Sequence, residues 1–194
     1  MRSEHAQFRS HRQGREAAQF GQMGEVERLI DAFRAEGDGA RVAWKLDVLL
    51  DLVRENDPRV VPFLLSVLAD PRESNAVRLD VLQRLRNGRL KPLERPRVAD
   101  TIVKLLSERS NTGLCLQSAL ALGEFTDLPG VVAVLGGLAL QCAAPLDLRY
   151  AAFTSLQRGG PARDAIEIMS TLTEDEVLGR AAASVLRSWR FRDL

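Results

Sequence analysis

The chain has 194 residues, of which 45% are hydrophobic and 27% charged, with a formal net charge of +1. That balance belongs to a folded, soluble chain and excludes intrinsic disorder as the state of the whole molecule. Near-neutral charge gives no global attraction to nucleic acid or to anionic membranes, so electrostatic binding has to come from a local patch.

Residues 1–24 form an N-terminal segment that carries both histidines, His5 and His11, with Phe8, Ala17, Ala18 and Phe20 set among arginines and glutamines. It reads as a partial capping helix or as a flexible basic arm. It has no apolar stretch of the signal-peptide kind, and no later apolar run approaches the ~20 residues that span a bilayer. A cytoplasmic location and no membrane partner are therefore expected.

Residues 25–194 read as helices. Only 5% of residues are aromatic, and Leu, Ala and Val supply most apolar positions, a mixture that favours close-packed helices over a β-sandwich. In chain order the expected helices are Glu25–Glu36, Trp44–Leu52, Pro58–Asp70, Val77–Leu85, Pro96–Arg109, Leu114–Leu122, Pro129–Gln141, Leu148–Leu156, Pro161–Leu172 and Leu178–Leu186. Four of them open on proline, which suits a first turn because the amide it lacks would be unpaired there, and Pro62 falls one turn after Pro58. Asp57 and Asp127 stand ahead of two of these starts as caps. Asp70-Pro71, Asn87-Gly88 and Gly159-Gly160 supply breakers between helices. The chain closes on RSWRFRDL, where Trp189 and Phe191 either cover the last exposed core or form a partner contact.

Every second helix carries one frame. In VRLDVLQRL (Val77 to Leu85), LRYAAFTSL (Leu148 to Leu156) and LGRAAASVL (Leu178 to Leu186), an aliphatic residue, a small or aliphatic residue and a leucine recur at i, i+4 and i+8, which is one helix face. WKLDVLLDL (Trp44 to Leu52) and LCLQSALAL (Leu114 to Leu122) fit less strictly, with Val48 and Ser118 in the middle. The closing leucines Leu52, Leu85, Leu122, Leu156 and Leu186 recur every 30–37 residues, the length of two helices and two turns. The expected fold is an all-α solenoid of about five antiparallel helical hairpins. These residues resemble the HEAT repeat family, in its phycobilisome-lyase-like subclass, whose second helix carries a valine-arginine pair followed by small residues and a leucine. The resemblance runs from about Glu25 to Arg190 and implies the fold more than a function. The family's cationic position matches Lys45, Arg78 and Arg149, while Cys115 and Gly179 replace it in the third and fifth repeats.

Lys45, Arg78 and Arg149 each follow a buried frame position or stand next to one, at the border of the inner helical face. They either tie their helices to nearby carbonyls and acids or form a broken cationic stripe on a concave surface, where solenoids hold partners. The longest interval, Leu85 to Leu122, contains RLRNGRLKPLERPR (Arg84 to Arg97), six basic residues against one acid, Glu94. Pro92 and Pro96 bias Lys91 and Arg95 toward extended backbone, so this stretch is expected as a loop, a basic rim on which Arg86, Arg89, Lys91, Arg95 and Arg97 meet an acidic partner or simply face solvent. Leu90 and Leu93 are expected to pin it to the helices.

Signals for catalysis are weak. Neither Cys115 nor Cys142 has CxxC or Cys/His spacing, and both suit small buried hydrophobes. No serine or cysteine stands in a nucleophile setting, Gly136-Gly137 lies within a helix as a close-packing site, and Asp47, Asp51 and Asp80 have the spacing of surface faces or of salt bridges between hairpins. The expected function is a noncatalytic scaffold or adaptor without a cofactor, holding a protein or peptide, acidic where it meets the rim. Nucleic-acid binding of the HEAT-like DNA glycosylase kind is the first alternative, and a bilin lyase-like activity, implied only by the resemblance, is the second.

Overall fold

A computed structural model describes residues 24–35, 42–108 and 111–190. The N-terminal segment up to residue 23, with both histidines, lies outside the described residues, as do Arg109 and Phe191. All regular structure among the described residues is helical: α1 (Glu25–Ala35), α2 (Val42–Arg54), α3 (Val60–Ala69), α4 (Asn75–Asn87), α5 (Arg95–Leu105), α6 (Thr112–Leu122), a 3-10 turn (Gly123–Phe125), α7 (Val131–Leu140), α8 (Leu146–Gly159), α9 (Arg163–Leu172) and α10 (Gly179–Arg190). None of these helices is long and apolar enough to cross a membrane.

The chain divides into two compact units, residues 1–63 and 64–194, with the division inside α3. In the first unit α1 packs on α2. Val26 and Phe33, seven residues apart and so on one face of α1, are buried, as are Val48, Leu49 and Leu52 of α2. The Phe33 ring meets Phe63 edge-on, with centroids 5.3 Å apart. Asp57 caps the approach to α3, accepting from the Arg59 backbone N–H at 2.8 Å, while the Arg59 guanidinium spans Asp57 and Glu27.

In the second unit, sequence neighbours α5 and α6, α7 and α8, and α9 and α10 pack as pairs, and alternate helices α4 and α6, α6 and α8, and α7 and α9 also pack together. The repeated frame is the buried face. Val77, Val81 and Leu85 of α4, Leu114, Ser118 and Leu122 of α6, and Leu148, Ala152 and Leu156 of α8 are all buried, and Leu178 and Ala182 continue it at the start of α10. Close approach at two places depends on small residues. Ser155 on α8 donates its hydroxyl to the Ala119 carbonyl of α6 at 2.8 Å. A Cβ on Gly136 would lie 2.3 Å from Ile168 Cδ1, so α7 and α9 approach through the missing side chain, the close-packing role expected of this glycine.

Cys142, expected as a small buried hydrophobe, is exposed, and three expectations about the helices and their connections also need correction. Arg84 to Arg97 is not one loop: α4 runs through Asn87 and α5 begins at Arg95, leaving only residues 88–94 as the connection. Helix α4 gains its last turn because Arg84 pairs with Asp80 one turn back and the Gly88 N–H donates to the Arg84 carbonyl, with basic side chains at the negative end of the helix dipole. Arg95 enters the helix despite preceding Pro96, held by side-chain contacts described below. Second, Leu93 pins nothing; it is 89% exposed, whereas Leu90 is half-buried. Third, α3, α7 and α9 begin two residues after Pro58, Pro129 and Pro161, so that of the four opening prolines Pro96 alone lies in a first helical turn, while Pro62 falls in the first turn of α3 as expected. The caps that do act at helix starts include Ser74, which accepts from the Val77 N–H, and Asn111, which accepts from the Leu114 N–H. Asp127, expected as a cap, instead pairs with Arg95.

Candidate binding surface

The repeat cations turn inward. Lys45, Arg78 and Arg149 are 4%, 2% and 5% exposed, so they form no open stripe. Arg78 Nε donates to the Leu68 carbonyl at 2.9 Å and Nη2 donates to both oxygens of Glu108 at 2.8 and 2.9 Å. Arg149 repeats the pattern, with Nε donating to the Ala139 carbonyl at 2.9 Å and Nη2 to Asp175. In each case the acceptor lies ten residues back, in the last turn of the preceding helix, where carbonyls lack an intrahelical partner and carry the negative end of the dipole. Cys115 keeps the same register, its Sγ donating to the Leu105 carbonyl at 3.5 Å and to the Glu108 carbonyl at 3.3 Å. Burial, and then the nearby Glu108 carboxylate, push its thiol above the ordinary range, which keeps it a protonated donor. Lys45 sits with Nζ 4.9 Å from the Phe33 ring centroid. At Gly179 a Cβ would lie 2.6 Å from the Thr173 carbonyl oxygen, so the turn ahead of α10 leaves no space for a fifth side chain.

Asp175 closes the second clasp and also caps α10. Its Oδ1 accepts from the Leu178 and Val177 N–H groups at 2.9 and 3.0 Å. The Leu178 amide first, then the Arg149 guanidinium and the Val177 amide, hold its carboxyl below the ordinary carboxylate range against the opposing effect of burial.

The basic rim splits into two groups. Arg95 donates to the Glu124 carbonyl at 3.0 Å and to Asp127, and its guanidinium carbon stands 5.1 Å from the Phe125 ring centroid. Arg86 lies 3.7 Å from the Glu124 carboxylate, which already accepts from Arg158. Arg89, Lys91 and Arg97 are exposed, and their side chains make no ion pair among the described residues. The rim cations outside any ion pair among the described residues are therefore these three, around the exposed Leu93.

Two grooves adjoin on the α4, α6 and α8 side of the second unit. One, of about 480 Å³, lies between α4 and α6 and is lined by Leu79, Gln83 and Arg86 facing Gln117 and Ala121. The other, of about 350 Å³, lies between α6 and α8 and is lined by Leu116 and Leu120 facing Tyr150 and Thr154. Sequence reasoning passed over all of these except Arg86. Their signal is positional: Leu79 and Gln83, Leu116 and Leu120, and Tyr150 and Thr154 each stand six and two residues before a closing leucine, one helical turn apart on the face next to the buried frame. The sequence matches no protein-family model and no curated protein. No cluster of His, Cys, Asp and Glu suited to a metal exists among the described residues. The groove linings combine apolar contact and neutral amides with the Arg86 guanidinium and the carboxylates of Asp80 and Asp147.

Proposed function

We propose that this chain is a noncatalytic binding module, a HEAT-like solenoid in which the clasps of Arg78 and Arg149 lock successive hairpins and the α4, α6 and α8 side holds a protein partner. The observation that carries the reading is the register. Equivalent positions of three helices line two adjoining grooves, and an exposed Tyr150 stands in one of them, a residue type enriched where proteins bind. The packing of alternate helices supports the solenoid, since stacked hairpins bring every second helix side by side. The exposed cations of the α4–α5 connection add attraction for an acidic surface beside the groove that ends at Asn87.

Immobilised protein incubated with lysate, with and without the double variant Leu120→Arg, Tyr150→Glu, tests this. Partners should be recovered by the parent chain and lost from the variant at unchanged circular dichroism. Recovery that survives the double variant would remove the α6–α8 groove as the binding surface.

A further inference from the structure

The groove between α4 and α6 differs from its neighbour in being lined by carboxamides and a guanidinium. Gln83 on α4 and Gln117 on α6 face it from opposite walls, both exposed and neither bonded to another described residue. A primary amide carries two N–H donors and two acceptor lone pairs, so one side chain can pair with both the N–H and the C=O of a peptide unit. Beneath them Leu79, Leu82 and Ala121 give a floor that water solvates poorly. Helical partners have already paired their backbone groups internally, and only an extended segment presents free ones to such amides.

Arg86, at the Asn87 end of the groove, is incompletely compensated. Its Nε–H is shielded from solvent and has no acceptor among the described residues. The nearest acid, Glu124, lies 3.7 Å from Nη2 and is already taken by Arg158, while Asp80 is taken by Arg84. These five groups leave one cation in excess at the groove, and with 28% of its side chain exposed the Arg86 guanidinium remains open to an arriving carboxylate. A nucleic acid would need a row of cations, and here Asp80 lies in the same wall.

We propose that this groove binds an extended segment of a partner protein, with Gln83 and Gln117 pairing to its peptide groups and Arg86 taking a carboxylate side chain. This rests on the binding-module reading and names its ligand. The test uses the full chain and fluorescently labelled degenerate nonapeptide pools with a fixed central Glu, Gln or Lys, read by anisotropy at low salt. A backbone N-methylated pool, a helix-stapled pool and a labelled DNA duplex complete the set. The Glu pool should bind about tenfold tighter than the Gln pool, as one charge-assisted hydrogen bond provides. N-methylation and stapling should abolish binding. Arg86→Gln should erase the Glu preference while leaving the Gln pool unaffected, and Gln83→Ala with Gln117→Ala, both at exposed positions, should weaken both pools whether or not the Arg86 variant folds. A Glu preference that survives Arg86→Gln, equal binding of the stapled pool, tighter binding of DNA, or no peptide binding at all overturns the proposal. If no pool binds yet Leu120 and Tyr150 still govern recovery of a folded partner, the peptide groove falls and the binding-module reading stands.

Discussion

At the residue scale, the decisive fact is where the repeat cations point. The sequence places Arg78 and Arg149 beside buried frame positions, but their acceptors lie in the last turn of another helix and in a later turn. A linear pattern cannot distinguish a head group that turns in to those carbonyls from one that turns out to solvent. In the structure the Arg149 and Asp175 side chains are 6% and 12% exposed. Removing one partner of such a pair leaves the other charge and the Ala139 carbonyl uncompensated, so Arg149→Met should cost about 3 kcal/mol in urea unfolding. A loss under about 1 kcal/mol would place the guanidinium among the near-neutral surface pairs. Acid should act through the same clasp. Because the folded protein holds Asp175 below its ordinary value, its contribution is complete above the ordinary carboxylate range of about pH 4 and is lost as pH falls from there through the lower folded value. Asp175→Asn should lower stability at neutral pH and flatten its decline across that acid window, measured as urea midpoints against pH; an unchanged decline would assign the acid sensitivity to other carboxylates.

At the scale of elements, helix identity and order follow from the spacing of apolar residues, while the ends depend on contacts that spacing does not encode. Arg95 illustrates this: the proline after it argues for extended backbone, and pairing with Glu124 and Asp127 with stacking on Phe125 draws it into α5. Arg95→Ser should therefore lower stability by about 1–2 kcal/mol, combining a cation–π contact with a partly shielded ion pair. The joint change of Arg89, Lys91 and Arg97 to serine should shift it by no more than about 0.5 kcal/mol per site, since exposed single charges contribute little. Thermal melts in which the two variants behave alike would contradict this division of the rim. Gly179 gives a sharper sign test at the start of α10. Intrinsic propensity alone makes Gly→Ala favourable in a helix by about 1 kcal/mol. Here the added carbon would press on the Thr173 backbone oxygen at 2.6 Å, and a backbone carbonyl cannot rotate aside as a flexible side chain does. Gly179→Ala is expected to destabilise by about 1–3 kcal/mol, and a gain in melting temperature would show that the turn ahead of α10 has slack.

At the scale of the whole molecule, the frame of closing leucines made the helices and their buried face legible, yet the same frame hid the proposed binding surface. It marks what is buried, and the groove residues are defined by being beside it: Gln83, Gln117 and Tyr150 are ordinary surface types until α4, α6 and α8 are set side by side. The packing of those helices also predicts how stability is distributed. Helix α6 touches α4, α5, α7 and α8, and α8 touches α6, α7 and the 3-10 turn, so opening either of them breaks several interfaces at once. Helices α1 and α2 belong to a separate and smaller unit, and α10 packs chiefly on α9. Local opening free energy rises with the packing lost, and in stacked repeats it is dominated by nearest-neighbour interfaces. Native-state hydrogen exchange should accordingly show the slowest amides in α6 and α8, intermediate protection in α4, α5, α7 and α9, and the fastest exchange among helical amides in α1, α2 and the end of α10. Arg149→Met should raise exchange most in α8 to α10, because it opens the clasp between Ala139 and Asp175, and least in α4, whose own clasp through Arg78 to Glu108 remains. Uniform protection from α1 to α10, or a uniform rise in the variant, would show one cooperative block in place of interfaces that open separately, and would remove the energetic basis for reading this chain as a stack of repeats.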